Sequence, residues 1–149
     1  MKTLSKLVTV LAVAIVAIFP ARADQYVNAD MLPDNAKTFI QKNYASEGYR
    51  TCERDDDGHY DVELRNGVDL EFDAEGKLLK IDGGTRRVSK SVLKQILPAK
   101  AYAELESRNV LGKVDEVEFN RYNIKIDLRV MRNDEIVFDI DGNLQYITD

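Results

Sequence analysis

The chain has 149 residues, 32% of them charged, and a formal net charge of −5. This acidic balance excludes nucleic acids and anionic membrane surfaces as partners, because both bind basic patches. Cys52 is the only cysteine, so no disulfide can form within the chain, and packing must supply the stability. We expect its thiol to be a small buried group in or beside a strand. A disulfide to another chain or a reactive thiol is the alternative.

The first 23 residues have the pattern of a secretory signal peptide. Lys2 and Lys6 precede an apolar run from Leu7 to Phe19, which is short for a membrane span, and Ala21-Arg22-Ala23 is an A-x-A ending. We predict cleavage after Ala23, a periplasmic or secreted location, and no membrane contact after cleavage. An uncleaved anchor is the alternative. Cleavage removes three cations, Lys2, Lys6 and Arg22, which moves the net charge from −5 to −8.

An amphipathic helix is predicted between Asp30 and Tyr44. Apolar residues from Ala36 onward recur at helical spacing, and Pro33 suits a first turn. Residues 50–54 form a candidate extra strand.

A hairpin is predicted around Arg65-Asn66-Gly67. Apolar and charged residues alternate on both sides of this turn, which is typical of strands with one buried face. A three-residue turn pairs Val62 with Leu70 and Tyr60 with Phe72, so that all apolar side chains share one face. This register requires Gly67 in the left-handed conformation.

The next strand, Leu78 to Ile81, has an ambiguous register, since either Leu78 or the pair Leu79 and Ile81 could face inward. A polar joint at residues 83–87 leads into a helical pattern from Val92 to Leu105, where Pro98 starts a new helix or kinks the existing one. The remaining predicted strands are Val114 to Phe119, Tyr122 to Val130, and a hairpin from Glu135 to Thr148 that turns at Asp141-Gly142.

The two halves repeat one pattern of about 65 residues. Leu32-Pro33 matches Leu97-Pro98, the strand from Tyr60 matches the strand from Tyr122, and the segment from Phe72 to Gly76 matches the segment from Phe138 to Gly142. We predict an α+β fold of two similar repeats, each an N-terminal helix packed on an antiparallel β-meander. The signal peptide (1–23) precedes repeats at 24–84 and 85–149, which form either two units or one compact domain.

These motifs resemble the PepSY-like family, also described as beta-lactamase-inhibitor-like proteins. They are an L-P helix start, a Y-x-V-x-L strand, an N-G turn and F-D-x-x-G-x-L, and they cover nearly all of residues 31–149, once per half. In the second half, residues 131–134 replace the N-G turn. The resemblance implies tandem helix-and-sheet units in exported proteins of unproven function. The inhibitor name rests on similarity of fold, and a fold does not carry a function.

No group of residues predicts catalysis. His59 is the only histidine, no second ligand accompanies it at metal-binding spacing, and no G-x-S-x-G motif is present. We therefore expect no enzyme activity and no cofactor. Asp55-Asp56-Asp57-Gly58 resembles the start of a calcium loop, which makes Asp55 and Asp57 weak metal candidates. A hairpin turn with glycine at positive φ is the favoured interpretation.

The outward face of the sheet remains as the candidate site. The period-two pattern turns one set of polar side chains away from the helices: Asp61, Glu63, Asp69 and Glu71, then Asn123, Lys125, Asp127 and Arg129. Such a face can select a partner by charge, although antiparallel sheets commonly leave one face to water. We predict a non-catalytic binding or inhibitory module that occludes another exported protein, and the resemblance implies a hydrolase such as a peptidase or beta-lactamase. A small-ligand or calcium-binding envelope protein is the alternative.

Overall fold

The computed structural model describes residues 25–129 and 133–148, which form three α-helices and nine strands. The helices are α1 (Asp34–Tyr44), α2 (Lys90–Ile96) and α3 (Ala99–Ser107). The strands are β1 (Gln25–Tyr26), β2 (Tyr49–Arg54), β3 (Tyr60–Leu64), β4 (Asp69–Phe72), β5 (Leu78–Asp82), β6 (Val114–Phe119), β7 (Asn123–Arg129), β8 (Asn133–Asp139) and β9 (Leu144–Thr148). The predicted signal peptide and part of the predicted 131–134 loop lie outside the described residues. Within these residues, no helix combines the length and apolar character needed to cross a membrane.

The strands form one antiparallel sheet in which sequence order equals spatial order. β5 pairs with β6, with Ile81 opposite Val117 and Lys80 opposite Glu118, so the sheet continues across the predicted boundary at residue 84. The prediction of helices with an antiparallel sheet is confirmed. The finer prediction of one helix packed on one β-meander per half differs from the structure, because α2 is an additional helix and the strands of both halves form one sheet.

The hairpin from β3 to β4 has the predicted register. Val62 lies opposite Leu70 and Tyr60 opposite Phe72. The Leu64 amide donates to the Val68 carbonyl at 2.9 Å, and Gly67 has φ +83°. The burial of these apolar side chains therefore determines the length of the turn, since a shift of one residue in the pairing would expose them to solvent.

A β-bulge resolves the ambiguous register of β5. Lys80 pairs with Glu71, whereas Leu78 pairs with Phe72, so Leu79 is the extra residue. Both Leu78 and Ile81 consequently face the helices, whereas a strand without a bulge would place these two residues on opposite faces.

All three helices pack on the same side of the sheet. They contribute Ala36, Ile40, Val92, Leu93, Ala101 and Leu105 to one apolar cluster with the inward side chains of the strands. The Ser89 hydroxyl caps α2 by accepting from the Val92 amide at 3.3 Å. Pro98 directly precedes α3 and separates it from α2, as the prediction of a new helix at this proline requires.

One predicted match between the halves is wrong. Tyr60 lies opposite Phe72, and Ile124 lies opposite Phe138. Since Phe72 and Phe138 begin equivalent turns, Ile124 is the counterpart of Tyr60, and the match with Tyr122 is displaced by two residues. A displacement of two residues preserves the faces of a strand, so the alternating pattern could not reveal the error.

Candidate functional site

The sheet face opposite the helices is open to solvent and carries two rows of side chains across the strands. The first row runs Glu53, Asp61, Glu71, Lys80, Glu118, Lys125, Val137 and Tyr146. The second row runs Thr51, Glu63, Asp69, Asp82, Glu116, Asp127, Glu135 and Thr148. Ten of these residues are acidic, four in the first row and six in the second, whereas only Lys80 and Lys125 are basic. We call this surface the open face.

The structure places all the predicted partner-facing residues on the open face or at its edge. Buried Val62 and Leu70 alternate with Asp61, Glu63, Asp69 and Glu71, and buried Ile126 lies between Lys125 and Asp127. Their contact with a partner stays a prediction.

Sequence reasoning missed the charged members of the open face on β2, β5, β6 and β8. These residues are Glu53, Lys80, Asp82, Glu116, Glu118 and Glu135. The bulges in β5 and β6 break the alternation that would have revealed the four residues on these two strands. With these residues included, the two rows contain ten acidic and two basic residues, whereas the set predicted from the sequence contained five acidic and two basic residues.

Several ion pairs link neighbouring strands on the open face. Lys80 Nζ lies 2.9 Å from Glu116 Oε2, and Lys125 Nζ lies 3.0 Å from Glu135 Oε2. At the edges, Arg50 Nη1 lies 2.6 Å from Glu63 Oε1, and Arg129 contacts Asp115 and donates to the Gly84 carbonyl at 2.8 Å. Partly exposed pairs of this kind contribute little stability. They still leave the carboxylates in excess.

Ionisation on the open face reflects the crowding of carboxylates. Partial burial and the nearby carboxylates of Glu63 and Asp82 raise the pKa of Asp69, which lies directly opposite Asp82. The hydrogen bond to Glu116 raises the pKa of Lys80, and the hydrogen bond to Glu135 raises the pKa of Lys125. The two lysines therefore stay charged at neutral pH within an acidic surface.

Each half contributes a depression to the open face. The first has a volume of about 400 Å³ and is lined by residues including Glu53, Glu63, Glu71 and Lys80. The second has a volume of about 330 Å³ and is lined by residues including Lys125, Asp127 and Glu135. Both are open and polar, which favours contact with a protein surface over enclosure of an apolar ligand.

The first acidic turn is closed by its own hydrogen bonds. Asp55 Oδ1 accepts from the His59 amide at 2.8 Å, and Gly58 has φ +88°. His59 Nδ1 lies 3.9 Å from Asp55 Oδ2 and 3.5 Å from Glu71 Oε1, so the histidine lies beside the turn. Within residues 25–129 and 133–148, no three carboxylate, histidine or cysteine side chains converge as metal ligands. The metal hypothesis for Asp55 and Asp57 stays a prediction.

Cys52 is buried in β2, as expected for a small apolar group. Its side chain is 6% exposed and lies in the row that contains Val62 and Leu70. Burial, reinforced by the charge of Glu53, raises the pKa of the thiol to about 11. A thiol in this state is a poor nucleophile at neutral pH.

The amino-acid sequence of this chain matches a known protein family in both halves. A family model described as "Putative beta-lactamase-inhibitor-like, PepSY-like" matches residues 21–80 and again residues 84–146. The chain belongs to the PepSY-like family. The double match agrees with the tandem repeat predicted from the sequence. No curated protein sequence matches the chain.

Three solved structures share the PepSY-like fold of this chain. A periplasmic protein of unknown function from Bacteroides vulgatus is 25% identical with a TM-score of 0.71, over 85% of this chain and 100% of its own. A protein from Bacteroides thetaiotaomicron, described as a "putative calcium-regulated periplasmic protein", is 22% identical with a TM-score of 0.74, over 85% and 97%. A second periplasmic protein from Bacteroides vulgatus is 23% identical with a TM-score of 0.74, again over 85% and 97%.

Proposed function

We propose that the protein is a non-catalytic exported binding module that covers a basic surface of another exported protein with its open face. The observation that carries this proposal is the excess of carboxylates in the two rows across the sheet. A partner with lysine and arginine side chains would complement these rows and would be drawn to them at long range. The similarity to periplasmic proteins and the predicted signal peptide support an exported location.

The size of the open face suits one protein interface. Nine strands about 4.8 Å apart give a width of about 40 Å, and the seven strands of five to seven residues give a height of about 20 Å. The resulting area of about 800 Å² per partner is that of a standard specific interface. Docking on this face would occlude a partner's site without any chemical step.

We propose a hydrolase, such as a peptidase or beta-lactamase, as the partner, by analogy with the beta-lactamase-inhibitor-like family description. A basic rim around the hydrolase's active site would complement the open face, whereas an acidic rim would be repelled.

Affinity capture with matched charge variants tests the proposal. The exported form would be immobilised as the wild type, as Asp69→Lys with Glu71→Lys on the open face, and as Glu75→Lys with Glu106→Lys on exposed positions elsewhere. Both variants change the net charge equally. We expect an exported protein that is retained by the wild type and the control variant, released by moderate salt, and lost from the open-face variant. Equal retention by all three proteins would refute the open face as the binding site.

A further inference from the structure

An apolar groove lies on the helix side of the sheet, where the two halves meet. Its volume is about 430 Å³, and side chains from α1, β5, α2, β6 and the β8–β9 turn line it. These are Phe39, Leu78, Ile96, Phe119 and Ile140. The first four pack against the core, whereas Ile140 is 59% exposed at the mouth. Pockets of about 300–1,000 Å³ with predominantly apolar walls are typical of small-ligand sites.

The polar residues of this groove carry no negative charge. They are Lys77, Gln95 and Asn120, and the other residues that line the groove are apolar. An adjoining cavity of about 290 Å³ shares Phe39, Leu78 and Gln95, adds Lys42, and has no carboxylate in its lining. Both depressions of the open face, by contrast, are lined by several carboxylates. In a chain with 26 acidic residues, the lack of carboxylates in this groove contrasts with the acidic open face.

The lysine side chains beside the groove are available to a ligand. Within the part of the chain that the structure describes, neither the Lys77 nor the Lys42 ammonium group has an ion pair or a hydrogen bond. Lys77 directly precedes Leu78, whose side chain forms part of the apolar wall. A cation beside an apolar surface binds an anion more strongly than a fully solvated cation does, because the local dielectric constant is lower.

We propose that this groove binds a small apolar monocarboxylate. The hydrocarbon part would lie against Phe39, Leu78 and Phe119, and the carboxylate would remain at the mouth beside Lys77. A second anionic group on the ligand would be forced against the apolar wall without a partner, which is unfavourable. The site lies on the opposite side of the sheet from the open face, so either proposal can fail without the other.

Calorimetric titration and thermal unfolding with decanoate test this proposal, with decan-1-ol and decylammonium as matched uncharged and cationic probes. We expect decanoate to bind about tenfold more tightly than decan-1-ol and to raise the melting temperature, because a ligand of the folded state stabilises it. Lys77→Gln should remove most of this tenfold preference, whereas Lys90→Gln, an exposed lysine outside the groove, should keep it.

A second pair of variants tests the apolar wall. Ile140→Asp should weaken decanoate binding at least tenfold, whereas Met31→Asp, at an equally exposed apolar residue outside the groove, should leave it unchanged. Both positions are exposed, so the folded structure is expected to tolerate the changes. The proposal is overturned if decanoate does not bind, if decylammonium binds more tightly, or if binding is indifferent to Ile140→Asp.

Discussion

Gly76 lies against Pro33 so closely that a Cβ atom on the glycine would stand 2.8 Å from Pro33 Cβ and 2.8 Å from the Ala36 nitrogen. Gly142 has the same relation to Pro98, with corresponding distances of 2.8 Å to Pro98 Cβ and 3.0 Å to the Ala101 nitrogen. In the first half, the turn that follows Phe72 packs on the first turn of α1. In the second half, the turn that follows Phe138 packs on the first turn of α3. The glycine is required there by both its positive φ and the lack of space.

Substitution of Gly76 by alanine should therefore destabilise the protein more than the same change at Gly67. Gly67 has φ +83°, but a Cβ atom there would meet nothing within 4 Å. Gly67→Ala should cost about 1 kcal/mol from backbone strain alone. Gly76→Ala should cost at least about 1 kcal/mol more, because the added methyl group meets backbone. If urea unfolding shows that Gly67→Ala and Gly76→Ala lower the free energy of unfolding equally, this result would contradict the close packing of the turn at Gly76.

Replacement of Asp69 should stabilise the protein. Asp69 has a raised pKa, so its folded pKa exceeds its unfolded value and its ionisation destabilises the fold as pH rises through that range. Asp69→Asn should increase the free energy of unfolding at neutral pH by up to about 0.5 kcal/mol, a value limited by solvent screening. The gain should disappear at acidic pH and shrink in high salt.

The neighbouring Glu63 contributes to the crowding around Asp69 but has a cationic partner of its own. Glu63 pairs with Arg50 at 2.6 Å, so Glu63→Gln should lower stability slightly or leave it unchanged. If Asp69→Asn lowers the free energy of unfolding in urea at neutral pH or leaves it unchanged, crowding of carboxylates does not govern the stability of this face.

Alkaline pH should weaken the fold through Cys52 and Tyr44. Burial raises the pKa of Cys52 from 9.0 to about 11 and that of Tyr44 from 10.0 to about 12. The folded state thus holds these protons longer than the unfolded state, so stability is complete below about pH 9 and falls as pH rises towards 12. Cys52→Ala should reduce the loss between pH 9 and 11 by on the order of 2 kcal/mol. An unchanged pH dependence in this variant would rule out the cysteine as the cause.

The Cys52 thiol should also resist modification. Because it is 6% exposed and its pKa is raised, maleimide labelling of the native protein at neutral pH should be at least about a hundredfold slower than labelling in guanidinium. Mass spectrometry over time measures both rates. Rapid labelling of the native protein would show that β2 opens readily or that the thiol is accessible.

The sequence predicted those parts of the fold that local patterns specify. Alternation around Gly67 determined the β3–β4 register, and Pro98 marked the start of α3. The F-D-x-x-G motif marked both turns that pack on helices. Four of the ten acidic residues on the open face were identified because β3 and β4 alternate without interruption, and a fifth, Asp127, because β7 does so as well.

The remaining features depend on contacts that sequence patterns do not encode. The bulge at Leu79 turns both Leu78 and Ile81 inward, and its presence becomes evident only from strand pairing. The apolar groove joins Phe39 and Phe119, which belong to different halves, with Ile140 from a turn. No periodic pattern connects these residues, so the sequence predicted neither the groove nor its lack of carboxylates.

Photo-crosslinking in the source cell tests whether the protein docks through its open face. The full-length chain would carry a photoreactive amino acid either at position 71 on the open face or at position 106, where Glu106 is exposed on α3. We predict that position 71 forms a defined adduct with one exported protein and that position 106 does not. Adducts from position 106 alone, identical adducts from both positions, or no adduct from position 71 would contradict docking through the open face.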